Sequence, residues 1–168
     1  GEAARLALLL QERGLGGRGE DLAARLDRWN ADRSPRADAS RKLASSWARR
    51  AEQMGEARQG ESPPLGVLLA AGYPDNLAKR RDNAGESWLT AGGRGLRIDP
   101  ASSLARAEWL AVGEAQGEAK VARITGAVAL TEGEVQRWLG DRIERRSTLR
   151  WIADEGRVHV HAPDPISG

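Results

Sequence analysis

Residues 71–98 read AGYPDNLAKRRDNAGESWLTAGGRGLRI, and within this stretch helical spacing gives way to strand and turn. Ser62 followed by Pro63 makes a helix start, because serine caps and proline fits the first turn; Leu65, Leu68 and Leu69 follow. Tyr73-Pro74-Asp75 ends or redirects that helix. After Gly85 the run Glu86-Ser87-Trp88-Leu89-Thr90 reads as a strand that turns at Ala91-Gly92-Gly93 into a partner from Arg94 to Ile98.

Toward the N-terminus the pattern is helical. Leu6, Leu9 and Leu10 share one face, GLGGRG at 14–19 breaks it, and Glu20 or Asp21 starts a second helix carrying Leu22, Leu26 and Trp29. A third helix is expected from about residue 37 to 55, with Leu43, Trp47, Ala51 and Met54 as its buried stripe. Toward the C-terminus, Trp109 to Val112 begin a strand that Gln116-Gly117 breaks, and 121–130 supplies a long partner. Thr131 caps a short helix through Leu139, with Glu134 at the capping-box position. Thr148 to Ile152, a turn at 154–156 and Val158 to Val160 form a last hairpin. The fold class expected is α+β, a helical-bundle segment followed by a small OB-like β-barrel. The boundaries are a helical segment over 1–60, a helical connector over 61–85, the barrel over 86–161 and a linker over 162–168.

A chain of 168 residues, 40% hydrophobic, has enough apolar content for a packed core. It has no cysteine and no apolar run long enough to span a bilayer, so neither disulfides nor membrane insertion accounts for its stability; a cytoplasmic home is expected. It opens at Gly1 with no leader pattern and reads as a piece of something larger. The 26 Lys and Arg face 24 Asp and Glu, a balance too near neutral to indicate nucleic-acid binding by itself. Only Lys42, Lys79 and Lys120 are lysines, and arginine, which favours bidentate contact with phosphate or carboxylate, supplies the rest.

GGRG at 92–95 invites a phosphate-loop reading, but a P-loop needs lysine followed by serine or threonine, and no lysine here meets that condition. The two glycines serve a hairpin turn. His159 and His161 lack a further histidine or cysteine to complete a metal site, and no nucleophile converges on them, so neither a metal ligand nor a catalytic residue is assigned. Asp154 and Glu155 read as turn residues. Two basic clusters remain. Arg41, Lys42, Arg49 and Arg50 recur at helical spacing around Ser45 and Ser46, a face that either tracks phosphates or is a solvated surface paired with Glu52 or Glu56. Lys79-Arg80-Arg81 carries the same two readings. Trp29, Trp47 and Trp138 fall in apolar stripes, whereas Trp88, Trp109 and Trp151 lie on expected strands, as core or as stacking platforms for bases.

The order of five segments then resembles the HrpB family of bacterial ATP-dependent helicases, relatives of the DEAH-box RNA helicases. They are LALLLQERG at 6–14, GGRGEDLAARLDRW at 16–29, VLLAAGYPDNLAKRR at 67–81, TAGGRGLRIDPASSLARAEWLAV at 90–112 and EVQRWLGDRIERRSTLRW at 134–151. The resemblance implies the end of the family's helical bundle plus its OB-like domain, with the two RecA-like motor domains, and their ATP and Mg, elsewhere in the parent. It implies no cofactor in this stretch. It also implies a non-catalytic accessory region that binds single-stranded nucleic acid, RNA more than DNA, and contacts the motor domains of the same chain. In related helicases these domains line part of the single-strand channel, which makes Lys79, Arg80, Arg81 and Arg94 the expected backbone contacts. The competing reading is a protein-interaction module that binds no nucleic acid.

Overall fold

A computed structural model describes residues 1–55, 60–117, 121–144, 149–152 and 157–160, with side chains through residue 140. The expected turn at 154–156 and linker at 162–168, and the residues Glu56 and Lys120, lie outside the described residues.

Helices α1 (Glu2–Gln11), α2 (Leu22–Ala31), α3 (Pro35–Met54) and α4 (Leu65–Gly72) come first. Asp21 caps α2, its carboxylate accepting from Ala23 N at 3.0 Å and Ala24 N at 3.2 Å. Ser34 caps α3 in the same way, with Pro35 in the first turn. The buried side of α3 differs from the expected stripe. Ala37, Ser40 and Ala44 face inward with Trp47 half-buried, while Leu43 is 41% and Met54 83% exposed. Small side chains let α3 lie close on α1, and α3, at 20 residues, is twice as long as the 10-residue α1, so its last turns outrun that cover. The buried Ser40 hydroxyl is satisfied by donating to Arg36 O at 2.6 Å. Helix α4 begins at Leu65 after Pro64, without the expected side-chain cap from Ser62.

The sheet elements are β1 (Leu77–Arg80), β2 (Ser87–Thr90), β3 (Gly95–Arg97), β4 (Trp109–Gly117) and β5 (Val121–Leu130), followed by α5 (Glu132–Glu144), β6 (Leu149–Ile152) and β7 (Arg157–Val160). Strands β1-β2-β3-β5-β4 form a closed barrel, and β1 pairing with β4 completes it through Leu77↔Ala111, Ala78↔Leu110 and Lys79↔Trp109. β3 and β5 run parallel and the other pairs antiparallel, the connectivity of an OB-like barrel. The closed barrel thus runs from Leu77 to Leu130, starting inside the stretch expected as a connector, and β6 and β7 pair with each other in a separate sheet. Thr131 and Glu134 form the expected capping box of α5: Thr131 N donates to Glu134 Oε2 at 2.8 Å and Glu134 N to Thr131 Oγ1 at 3.2 Å.

Two apolar cores result. One fills the barrel with Trp88, Leu96, Leu110, Val112 and Ile124, closed at one end by Leu104 and Ala105 of the β3–β4 connection. The other lies outside, where Leu77, Ala111, Val128 and Leu130 of β1, β4 and β5 meet Leu9, Trp29, Leu69, Val135 and Leu139 of the helices. Gly113 on β4 is a tight point of that second layer: a Cβ there would stand 2.9 Å from Leu10 Cδ2 and 3.3 Å from Leu69 Cδ1. Gly113→Val is therefore expected to cost about 1–3 kcal/mol through overpacking. Gly140 on α5 has open space around it, so Gly140→Ala is expected to stabilise by about 0.5–1 kcal/mol. Urea denaturation of both variants checks the pair.

Candidate nucleic-acid interface

Alternation along each strand sorts the barrel residues into inward and outward rows. The inward row Ala78, Thr90 and Leu110 belongs to the barrel interior. The helices cover the outward residues at the start of β4, the far half of β5 and the start of β1, which leaves the outer face of β2 and β3, with the adjoining ends of β1 and β5, clear.

Two outward rows cross that face. In one, Lys79 pairs with Leu89, Leu89 with Gly95 and Gly95 with Val121. In the other, Arg81 N donates to Ser87 O at 2.9 Å, Ser87 pairs with Arg97, and Arg97 with Arg123. Arg81, Arg97 and Arg123 are all exposed. Among the described residues Arg123 pairs with Asp99 at 3.9 Å, with the two side chains 70% and 51% exposed, a pair too loose and wet to hold the guanidinium.

The residues expected from sequence divide. Lys79 lies on the clear face, 4.8 Å above the Trp109 ring and 3.8 Å from Glu108 Oε1. Arg81 stands beside it. Arg80 falls in the inward row past Trp88 and donates to Arg106 O at 2.9 Å, tying β1 to the connection that closes the barrel. Arg94 is half-buried at the β2–β3 turn; its guanidinium reaches Gly117 O at 3.4 Å, and its Nε has no partner among the described residues. On α3, Arg41 is committed to Trp29 O at 2.6 Å and to Asp38, while Lys42, Arg49 and Arg50 are exposed. That helix packs on α1, so its cations stand on a different element from the barrel row.

Trp88 is fully buried, which rules it out as a stacking platform while the barrel is closed. It shares a row with Leu96 and Ala122, a placement that only the strand pairing fixes. Trp109 is half-buried, with its indole N–H donated to the Glu132 carboxylate and its ring under Lys79. Trp151 lies on β6 and His159 on β7, where side chains are outside the described residues, as is His161 altogether. Sequence reasoning missed Arg97 and Arg123. The signal was present: Leu96 and Ile98 bracket Arg97, and Ala122 and Ile124 bracket Arg123, so each arginine takes the outward position of an alternating strand.

Two carboxylates shape the edges of this face. Hydrogen bonds from the Ser87 hydroxyl and then from the Glu86 backbone hold Asp82 below the usual carboxylate range, fixing the β1–β2 loop beside Arg81. Glu132 is lowered by the Trp109 indole N–H first, then by Gln136 and the nearby charge of Lys79.

No protein-family profile and no curated protein matches this chain. Among solved structures, a crystal structure of the E. coli DExH-box NTPase HrpB matches at 24% identity and a TM-score of 0.63, covering 94% of this chain and 18% of that one. A crystal structure of the Escherichia coli DEAH/RHA helicase HrpB matches at 21% identity and a TM-score of 0.59, with the same coverage. The chain has the fold of a part of HrpB. It spans about 18% of the length of those proteins, and the shared part is the helical segment with its OB-like barrel.

The Glu132 shift gives a pH dependence with a definite sign. Its folded pKa lies below the unfolded one, so the Trp109–Glu132 contact stabilises above the ordinary carboxylate range and is lost as pH falls through the folded value. In an NMR acid titration the Glu132 carboxyl should titrate below exposed glutamates, and Trp109→Phe should move its midpoint upward.

Proposed function

We propose that this chain is a non-catalytic accessory region of an ATP-dependent helicase, holding the backbone of a single nucleic-acid strand on the clear β2–β3 face of its barrel and contacting the motor domains of its parent. The observation that carries this reading is the in-register row of Arg81, Arg97 and Arg123, with Lys79 beside it, on the barrel face that the helices leave open. Exposed guanidiniums without tight carboxylate partners among the described residues neutralise phosphates and release counterions, which gives affinity without reading sequence. ATP and Mg belong to the motor of the parent. RNA is the preferred strand on the helicase resemblance, and a cytoplasmic location goes with it. Buried Trp88 contributes no stacking, so binding is weak and governed by salt.

A second reading has one specific support. Leu89 is 40% and Val121 51% exposed, next to one another across Gly95, an apolar strip suited to docking on a motor domain.

Fluorescence anisotropy of labelled single-stranded RNA and DNA, titrated at low and moderate salt, separates the two. The expected result is salt-sensitive binding that Arg97→Ala with Arg123→Ala weakens about ten-fold, lowering the salt slope by about one per arginine. Absence of binding at low salt would overturn the strand reading. Association with the purified motor domains that Leu89→Asp abolishes, and the arginine variants do not, would establish docking in its place.

A further inference from the structure

The glycine loop at 14–19 and the outer side of the β4–β5 ribbon bound an open groove of about 970 Å³. Its innermost cation is Arg25 on α2, only 7% exposed. A buried guanidinium has five N–H donors to satisfy and is costly to leave short of acceptors. Arg25 is short of them: Nη2 donates to Leu9 O at 3.4 Å, Nη1 stands 3.6 Å from Glu114 Oε2, and Nε has no partner among the described residues. Arg13, Arg18 and Arg123 line the same groove, so four guanidiniums face the two carboxylates of Glu12 and Glu114.

The loop that forms the near wall is fixed in shape. Gly16 has φ +67°, and a Cβ there would lie 1.9 Å from Arg25 O, so the loop lies directly on the backbone that carries Arg25. Arg28 holds it from the other side, Nε donating to Gly16 O at 2.7 Å and Nη2 to Arg18 O at 2.8 Å. The residues Gly14, Gly17 and Gly19 that face the groove bring no side chains, which lets a ligand approach the main chain.

We propose that this groove is a phosphate-binding site, with Arg25 as its buried anchor and Arg13, Arg18 and Arg123 at its rim. Charge-assisted hydrogen bonds from the terminal nitrogens of Arg25 to phosphate oxygens would improve on the long contacts that Leu9 and Glu114 supply. Arg123 belongs both to the groove and to the barrel row. The backbone phosphate of a strand leaving the β2–β3 face is therefore the expected source, a step that rests on the function proposed above; a free phosphate is the other source.

Two measurements on the whole chain test it. Thermal unfolding is followed in inorganic phosphate and in chloride at matched ionic strength, and strand affinity is read by anisotropy. The variants are Arg13→Ala with Arg18→Ala, both exposed positions, and Arg97→Ala, which touches the barrel row alone. Phosphate is expected to raise the Tm of the unaltered chain above the chloride control. The groove variant should weaken phosphate at least ten-fold by loss of charge-assisted contacts, whereas Arg97→Ala should leave the phosphate response intact. If the groove variant also weakens the strand, the site takes backbone phosphate; if strand affinity is unchanged, it takes free phosphate. No phosphate effect beyond chloride, or an undiminished effect in the groove variant, would overturn the site. Should Arg97→Ala leave strand affinity untouched while the groove variant loses phosphate, the barrel-face reading falls and the groove stands.

Discussion

The first half of β4 and the second half of β5 are buried on both of their faces, and the arrangement of the molecule follows from that constraint. Its inward residues, Leu110, Val112 and Ile124, complete the barrel interior, while Ala111, Val128 and Leu130 on the opposite face are the floor on which the helices sit. A strand that is apolar on both sides cannot lie at a solvated surface without exposing a row of large side chains. The helical segment and the barrel are consequently one packed unit. Gly66 and Gly113 set how closely the two layers approach, since Leu130 at the first and Leu10 and Leu69 at the second occupy the space where a side chain would stand.

Covering one side of the barrel defines the other. With the start of β4, the far half of β5 and the start of β1 under helices, the outward residues of β2 and β3 remain at the surface, where Lys79, Arg81, Arg97 and Arg123 stand with Asp82, Asp99 and Glu108 at the edges. Arg97 of β3, Arg123 of β5 and Arg81 just past the end of β1 become neighbours through pairing alone. The same covering creates the groove. The loop 14–19 reaches the barrel beside α2, where Glu20 O accepts from Ala127 N at 2.8 Å, and the buried charge of Arg25 is enclosed between them.

Much of the fold was legible because local rules and tertiary packing agree. The capping box at Thr131 and Glu134, the cap at Asp21, the Gly-Gly turn after Thr90 and the long β5 strand all stand where periodicity and turn chemistry put them. The departures have physical causes. The buried stripe of α3 runs through Ala37, Ser40 and Ala44 because a close helix neighbour selects small residues over the larger Leu43 and Met54. The first strand, Leu77–Arg80, follows a short turn after α4, and its pattern, Leu77 and Ala78 both buried and then two cations, does not alternate as a strand signal would. For the candidate site, Lys79 and Arg81 were found as a run of like charges. Arg80 from the same run, and Arg94, which the resemblance implied, are tied to main-chain carbonyls of the barrel.

By itself the sequence determined the class of the fold and the order of most of its elements, since helix periodicity, strand alternation, caps and glycine turns are encoded within a few residues of one another. It also determined that the chain carries no P-loop, because that motif is local and its lysine is missing. The tertiary structure alone decided which face of each strand meets solvent, that Trp88 is core, and that Arg25, Arg97 and Arg123 matter. Those properties depend on strand register and on which face the helices cover. Both are set by contacts between residues far apart in the chain, which no local pattern specifies.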